Sequence, residues 1–359
     1  MSKATQNQFM PNYAVPPGET LLDTLEAIGM SQAELANRTG RPKKTINEII
    51  KGKVEITSET ALQLERVLGI PAGFWNNLER NYQDAKARLA EQERLMHHIA
   101  WLREIPVATM VKQGWIQPFR DKVQQLQEVL NYFGVASPEL WQARWHDPGV
   151  AYRESSSFRS HPGAVAAWLR KGELEAHRIA SSPFDPTKFK EVLGRIRGIT
   201  RHLPEDFQPE IERLCAEAGV AVVIVPELPN IRISGATWWL NPNKAVILLT
   251  LRYKSDDQLW FSFFHEAGHI LLHGKKDVFL EGELSDGKEE EANSFAGDFL
   301  IPARKYQQFI TTATLSKMTI HSFADELGIA PGIIVGRLQH DKRLPFTHCN
   351  ELKRKLVWK

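Results

Sequence analysis

The spacing of apolar residues divides the chain into short helices, a longer helical stretch and a segment where strands appear. Leu21, Leu22, Leu25 and Ile28 predict an amphipathic helix over 19–28. Ser31 with Glu34 predicts a capping box that opens a helix carrying Leu35 and Ala36 and ending at Gly40. A helix over 42–51 follows, with Ile46, Ile49 and Ile50 inward and Gly52 as terminator. Thr57 and Ser58 can cap a fourth helix that carries Ala61, Leu62, Leu64 and Leu68 and stops at Gly69. One long helix is expected over 79–101, with Tyr82, Ala85, Leu89, Met96 and Ile99 at a/d-like spacing and Gln92 interrupting. A stripe that short suits a connecting helix packed on a neighbour, with a homodimer seam as the other use.

Helical periodicity continues over 123–133, 164–179 and 189–199, broken by Pro118, Pro138, Pro148, Pro162, Pro183 and Pro186. Trp115, Trp141, Trp145 and Trp168 read as core filler there. Near Leu203 the pattern changes. The β-branched run 220–225 predicts a buried strand, and 235–240 with 245–249, separated by Asn241-Pro242-Asn243-Lys244, predict a hairpin. A helix over 256–273 is apolar nearly all round, through Leu259, Trp260, Phe261, Phe263, Phe264, Ile270, Leu271 and Leu272, so it should be buried and end at Gly274. A charged stretch, 275–288, leads to a helix striped by Ala292, Phe295, Ala296 and Phe299 and closed by Pro302. Two more helices are expected over 320–327 and 332–339.

Inside the buried helix stand His265, Glu266 and His269. The two histidines are one turn apart and leave the same face, with Glu266 one step round, near enough to orient a water between the rings. Two His at i and i+4 with a Glu after the first is the zinc-and-base arrangement of a metallopeptidase. Polar groups in so apolar a helix are costly unless something satisfies them, and a metal would. On the following helix Glu289 and Asn293 share a face, so the carboxylate can bind metal while the amide braces a ligand. Glu290 and Glu291 read as a solvated helix start. His273 competes with Glu289 for the third position. Successive steps of four drift by about 40° each over some ~12 Å of axis, and bonds of about 2 Å cannot gather three His so placed. His273 is therefore expected at the helix C-terminus, in the wall of the site. His321, Tyr306 and His340 are available as a second oxyanion donor, and spacing selects none of them.

With 359 residues, 42% hydrophobic and 25% charged, the chain has room for two or three folded domains and is neither disordered nor coiled coil in bulk. Its net charge of +2 says little about partners, so local charge decides. Residues 1–80 hold nine basic and nine acidic residues, yet between Arg38 and Lys53 six basic residues face Glu48 alone. A neutral domain with positive charge focused on one short helix and its flanks suits double-stranded DNA, although basic residues also solvate small bundles. Arg41, Lys43, Lys44, Thr45, Asn47, Lys51 and Lys53 are the candidate contacts, and Asn47 can read an adenine edge. Cys215 and Cys349 are too far apart to suggest a disulfide framework or a cysteine zinc site. The first residues lack the apolar core of a signal peptide, and the longest aliphatic runs are strand-sized, so a cytoplasmic protein with no membrane partner is expected.

The 265–273 segment, Glu289-x-x-Ala292-Asn293-x-Phe295-Ala296, Leu300-Ile301-Pro302 and the 323–338 segment resemble the ImmA/IrrE family of metallopeptidases. Pro17-Gly18-Glu19, the 31–36 segment and the 45–53 segment resemble XRE-type helix-turn-helix regulators of the HigA antitoxin kind. The resemblance implies a zinc endopeptidase that cuts a phage-repressor-like protein to switch transcription, here fused to its own DNA-binding domain. That fusion leaves another regulator, a toxin partner or the chain itself as targets. The expected fold is mainly α with a small β-sheet: a helix-turn-helix bundle over 15–80, a connecting helix over 81–102, a helical accessory domain over 103–204 and an α+β zincin-like domain over 205–359. In the expected mechanism His265, His269 and Glu289 hold zinc and Glu266 is the base. The rival is an antitoxin or repressor whose metal domain senses or docks without turnover; Glu266 argues against it, because a structural zinc site has no need of that carboxylate.

Overall fold

The computed structural model describes residues 13–146, 161–202, 204–231, 233–250, 254–275, 279–280 and 287–356. The chain forms two compact units that divide after Ile99.

The first unit is a helical bundle: α1 (Pro17–Ala27), α2 (Gln32–Thr39), α3 (Lys43–Ile50), α4 (Ser58–Leu68) and α5 (Ala72–Met96). Leu21, Leu25, Leu35, Ile46, Ile49, Ala61, Leu64 and Trp75 make its core. Ser31 caps α2 by accepting from Glu34 N at 3.1 Å, but the Glu34 carboxylate pairs with Arg38, so only half of the expected capping box forms. Gly40 ends α2 with φ 70°, a left-handed conformation that costs a glycine little, and the chain turns there into α3. Ile28, expected on the apolar face of α1, is 53% exposed, and Leu62 of α4 is 48% exposed. Ile28 follows the last helical residue of α1, and Leu62 lies a third of a turn from Ala61, which takes the core position. The expected long helix starts earlier, where Ala72 and Trp75 bury against the bundle, and stops at Met96; Ile99–Glu104 is a separate 3₁₀ turn.

The second unit begins with α6 (Val107–Lys112), α7 (Lys122–Phe133), α8 (Pro138–His146), α9 (Pro162–Arg178), α10 (Pro186–Ile199) and α11 (Pro204–Glu217). Pro148 falls outside the described residues. Trp141 packs edge-on against Trp101 and Phe133 at 5.3 and 5.7 Å, and Trp145 and Trp168 are buried, while Trp115 is only half-buried. The strands are β1 (Val220–Ile224), β2 (Gly235–Asn241), β3 (Lys244–Leu249) and the two-residue β4 (Phe279–Leu280), in the order β1-β3-β2-β4. β1 and β3 are parallel, pairing Val220 with Ala245 through Ile224 with Leu249. β2 and β3 form the antiparallel hairpin, and β4 lines the far edge by pairing Thr237 with Phe279. The Lys244 ammonium caps the end of α9, 2.7 Å from Ala176 O and also bonded to Ile179 O, so the stretch before Leu203 and the sheet share one unit.

Behind the sheet lie α12 (Asp256–Leu272), α13 (Gly287–Leu300), α14 (Ala303–Thr312), α15 (Lys317–Leu327) and α16 (Pro331–His340). Pro302, expected to end a helix, is also the N-cap of α14, which the apolar spacing did not predict. The start of α12 is strapped by residues 353–356. Asp256 N donates to Arg354 O and Arg354 N to Asp256 Oδ1, each at 3.0 Å, and Leu356 N donates to Lys254 O at 2.9 Å. Lys353 Nζ lies 2.7 Å from the buried Asp257 carboxylate. Among the described residues no helix is long and apolar enough to cross a membrane.

Candidate metal centre and nucleic-acid interface

His265, Glu266 and His269 are at most 1% exposed, because α12 is covered by the sheet on one side and by α13 on the other. The two helices approach closely at Gly268, where a Cβ would stand 3.1 Å from the Phe295 ring and 3.3 Å from Ala292 Cα. That approach delivers Glu289 to the histidines. The Nε2 atoms of His265 and His269 are 3.0 Å apart, and the Glu289 oxygens lie 3.3 and 3.1 Å from them. A tetrahedral ion with bonds of about 2.0–2.1 Å holds its ligand atoms about 3.3 Å apart. The His-His-Glu group therefore fits a zinc-sized ion, and the set is two nitrogens and a carboxylate oxygen, which zinc accepts.

The ring orientations come from outside this group. Asn293 Oδ1 is 3.0 Å from His265 Nδ1, so an Nδ1–H donated there leaves Nε2 as a lone pair facing inward. The Phe279 ring of β4 stacks on His269 at 4.2 Å and 14°. His273 is the first residue past α12, with extended φ −115°, and its Nδ1 is 2.9 Å from His269 Nδ1. Its Nε2 is 3.1 Å from Glu291 Oε2, so Glu291 has a partner on this side and is not only a solvated helix start. Burial raises the Glu289 pKa, but the hydrogen bonds to His265 and His269 outweigh it and bring the group to about 2. Burial likewise lowers His269, ahead of the opposing pull of Glu289, and so favours the neutral ring a metal requires.

Glu266 points from the same turn toward β2. A Cβ on Gly235 would stand 2.5 Å from Glu266 Oε1 and 2.8 Å from its Cγ, so only a residue without a side chain leaves that room. The Thr237 hydroxyl donates to Glu266 O at 3.4 Å. Gly235 and Phe279 were missed in the sequence: the first read as an ordinary hairpin residue, the second lay in a charged stretch with no periodicity. None of the three oxyanion candidates joins the His-His-Glu group. Tyr306 gives its hydroxyl to Asp341 Oδ2 at 2.8 Å, and His321 is exposed beside Asp325. His340 lies on a cleft of about 360 Å³ that also touches Phe261 and Asn293.

In the first unit, α2, the Gly40 turn and α3 form a helix-turn-helix. Ile46 and Ile49 anchor α3, leaving Lys43 and Lys44 exposed and Thr45 and Asn47 partly so. Lys51 and Lys53 are exposed just beyond it. Lys44 lies 3.9 Å from Glu48. Arg41 is held by α4, with Nε 2.5 Å from Gln63 Oε1 and Nη2 3.5 Å from Glu59.

Comparison with known proteins adds relatives over about a quarter of the chain and family matches in both units. Over 97 residues the chain is 34% identical to virulence-associated protein I of Dichelobacter nodosus, spanning 27% of this chain and 83% of that protein. An addiction module antidote protein of a HigA family from Coxiella burnetii is 29% identical, covering 23% of this chain and 92% of its own with a TM-score of 0.22. The Pseudomonas aeruginosa antitoxin HigA, solved with the higBA promoter, is 31% identical over 24% of this chain and 94% of its own, with a TM-score of 0.23. Residues 21–75 match the helix-turn-helix family model and residues 215–339 the model of the IrrE N-terminal-like domain, a peptidase family. The chain thus belongs to the helix-turn-helix family through its DNA-binding first unit, and residues 215–339 of its second unit form a domain similar to the IrrE-like peptidase family.

Proposed function

We propose that this chain is a cytoplasmic transcription regulator whose second unit is a zinc-dependent endopeptidase acting on a repressor-like or partner protein, or on the chain itself. The observation that carries the reading is the buried Glu266 one residue after a histidine whose Nε2 lies 3.0–3.3 Å from two other ligand atoms. His265, His269 and Glu289 would hold the ion, braced by Asn293. Zinc held there would supply Lewis-acid chemistry to the scissile carbonyl and to the attacking water. Glu266 accepts the proton of that water on its carboxylate and returns it to the leaving amine. Gly235 leaves the space in which that carboxylate sits, and the apolar walls of α12 and β2 keep bulk water away. The Lys43–Lys53 face of the first unit would grip phosphates, with Asn47 reading a base edge.

Metal content and proteolysis of co-purified partners, wild type against Glu266→Ala, test the reading. The Ala variant should keep zinc, fold and DNA binding, yet lose hydrolysis by up to about ten-thousand-fold. Cleavage by the Ala variant would remove Glu266 as base. A zinc-loaded wild type that cuts none of its partners would favour an antitoxin or repressor with a sensing metal domain.

A further inference from the structure

We propose that His273 and Glu291 act as a positioning relay that fixes the ring of His269 for the metal, an inference that rests on the zinc-site reading above. A neutral imidazole carries one N–H and one lone pair. For His269 to present the Nε2 lone pair to an ion, its Nδ1 must carry the hydrogen and donate it. The acceptor in reach is His273 Nδ1, 2.9 Å away. Accepting there leaves His273 its hydrogen on Nε2, and Glu291 Oε2 stands 3.1 Å from that atom to receive it. The reverse assignment, with His273 donating to His269 Nδ1, would place the His269 hydrogen on Nε2, pointing at His265 and Glu289, and remove it as a ligand. Only one direction of hydrogen bonding along Glu291, His273 and His269 is compatible with a metal.

The backbone is arranged for this. A continuous helix would carry a residue four beyond His269 further along the same face. Instead α12 ends at Leu272, and His273 leaves with φ −115° and ψ 167°, which sets its ring at a 50° tilt to that of His269 with a centroid distance of 5.0 Å. Phe279 covers both rings, at 4.2 Å from His269 and 5.3 Å from His273. The His273 side chain is only 4% exposed, whereas that of Glu291 is 64% exposed, so the inner link should matter more than the outer one. Asn293 does for His265 what His273 does for His269, and each of the two ligands from one helix has its own partner on Nδ1.

The test measures zinc affinity of the full chain at fixed pH by competition with a chromophoric chelator, with the thermal midpoint of each metal-free variant recorded alongside. His273→Met, similar in bulk but without a nitrogen acceptor, should weaken zinc binding by about 10- to 100-fold. His273→Gln can accept with its amide oxygen and donate with its nitrogen, and should recover most of that loss. Glu291→Gln should weaken binding by about threefold on its own and add nothing in the His273→Met background. Wild-type affinity in both His273→Met and Glu291→Gln, or a Gln variant as weak as the Met variant, overturns the relay while leaving the zinc site standing. Should His273→Met fail to fold, the Glu291→Gln and His273→Gln measurements decide alone: unchanged affinity in the first overturns the relay. A wild type that binds no zinc overturns the zinc-site reading and the relay with it.

Discussion

Gly235 is the point at which the sheet meets the carboxylate of Glu266, the proposed base. A methyl group there would stand 2.5 Å from Glu266 Oε1 and 2.8 Å from its Cγ, where ordinary contact begins near 3.4 Å. Gly235→Ala must therefore move the carboxylate or the strand by about 0.9 Å, and β2 is held by β3 on one side and β4 on the other. The strand is pinned on both sides whereas the Glu266 side chain turns about its own torsions, so the displacement should fall on the carboxylate. A misplacement of about 1 Å at a reacting group costs on the order of 100-fold in rate, and overpacking of this kind costs about 1–3 kcal/mol of stability. The assay is kcat/KM on a peptide that the wild type cleaves, with zinc stoichiometry and thermal midpoint measured on the same preparation. The expected pattern is full zinc, a modest drop in midpoint and a rate loss of about 100-fold, mostly in kcat. A Gly235→Ala variant that turns over like wild type would refute the placement of Glu266 against β2.

Glu289→Gln should lower zinc affinity sharply while His273→Ala leaves the ion in place at saturating zinc; the reverse outcome in metal titrations would reassign the third ligand. Removing the charges of Lys43 and Lys44 should weaken binding to any duplex and flatten the logarithmic salt dependence by about one per lost phosphate contact, whereas Asn47→Ala should relax sequence preference, both read by titration at several salt concentrations. Burial lifts the Asp256 carboxyl from 3.8 to about 6, against the backbone hydrogen bonds that lower it. Because the folded-state value is the higher one, the folded chain takes up this proton first. Stability is gained as pH falls from about 6 to 4 and lost as it rises again, by on the order of 3 kcal/mol. Asp256→Asn should flatten the pH dependence of the denaturation midpoint in that window, and an unchanged slope would show that Asp256 does not titrate there.

The helices of the first unit were legible because each carries its own punctuation: Ser31, Thr57, Gly40 and Gly69 fix ends locally, and Leu21, Ile46 and Leu64 fix faces. The His265–His269 pair was legible for the same reason, being a local period on one helix. Glu289 and Asn293 could be named because a second helix has its own phase, although nothing in the spacing states that the two helices meet. What escaped depends on contacts distant in sequence. Gly235 matters only because Glu266 lies across from it, and Phe279 only because a two-residue strand lays its ring on His269. A strand that short has no period to detect. Ile28 was misplaced because a helical stripe gives the apolar side but not where the neighbouring helix stops covering it.

The strap formed by residues 353–356 also sets an order of events during synthesis. His269 leaves the ribosome well before residue 356, and the start of its helix has no partner for Asp256 until then. At about 5–20 residues per second the interval is roughly 5–20 s, long beside the formation of a helix. Over that time the nascent chain carries both histidines on a helix whose first turn is still unstrapped, while the DNA-binding unit, made first, is already complete. A chain still being made can therefore complete its helix-turn-helix unit before the start of α12 is strapped.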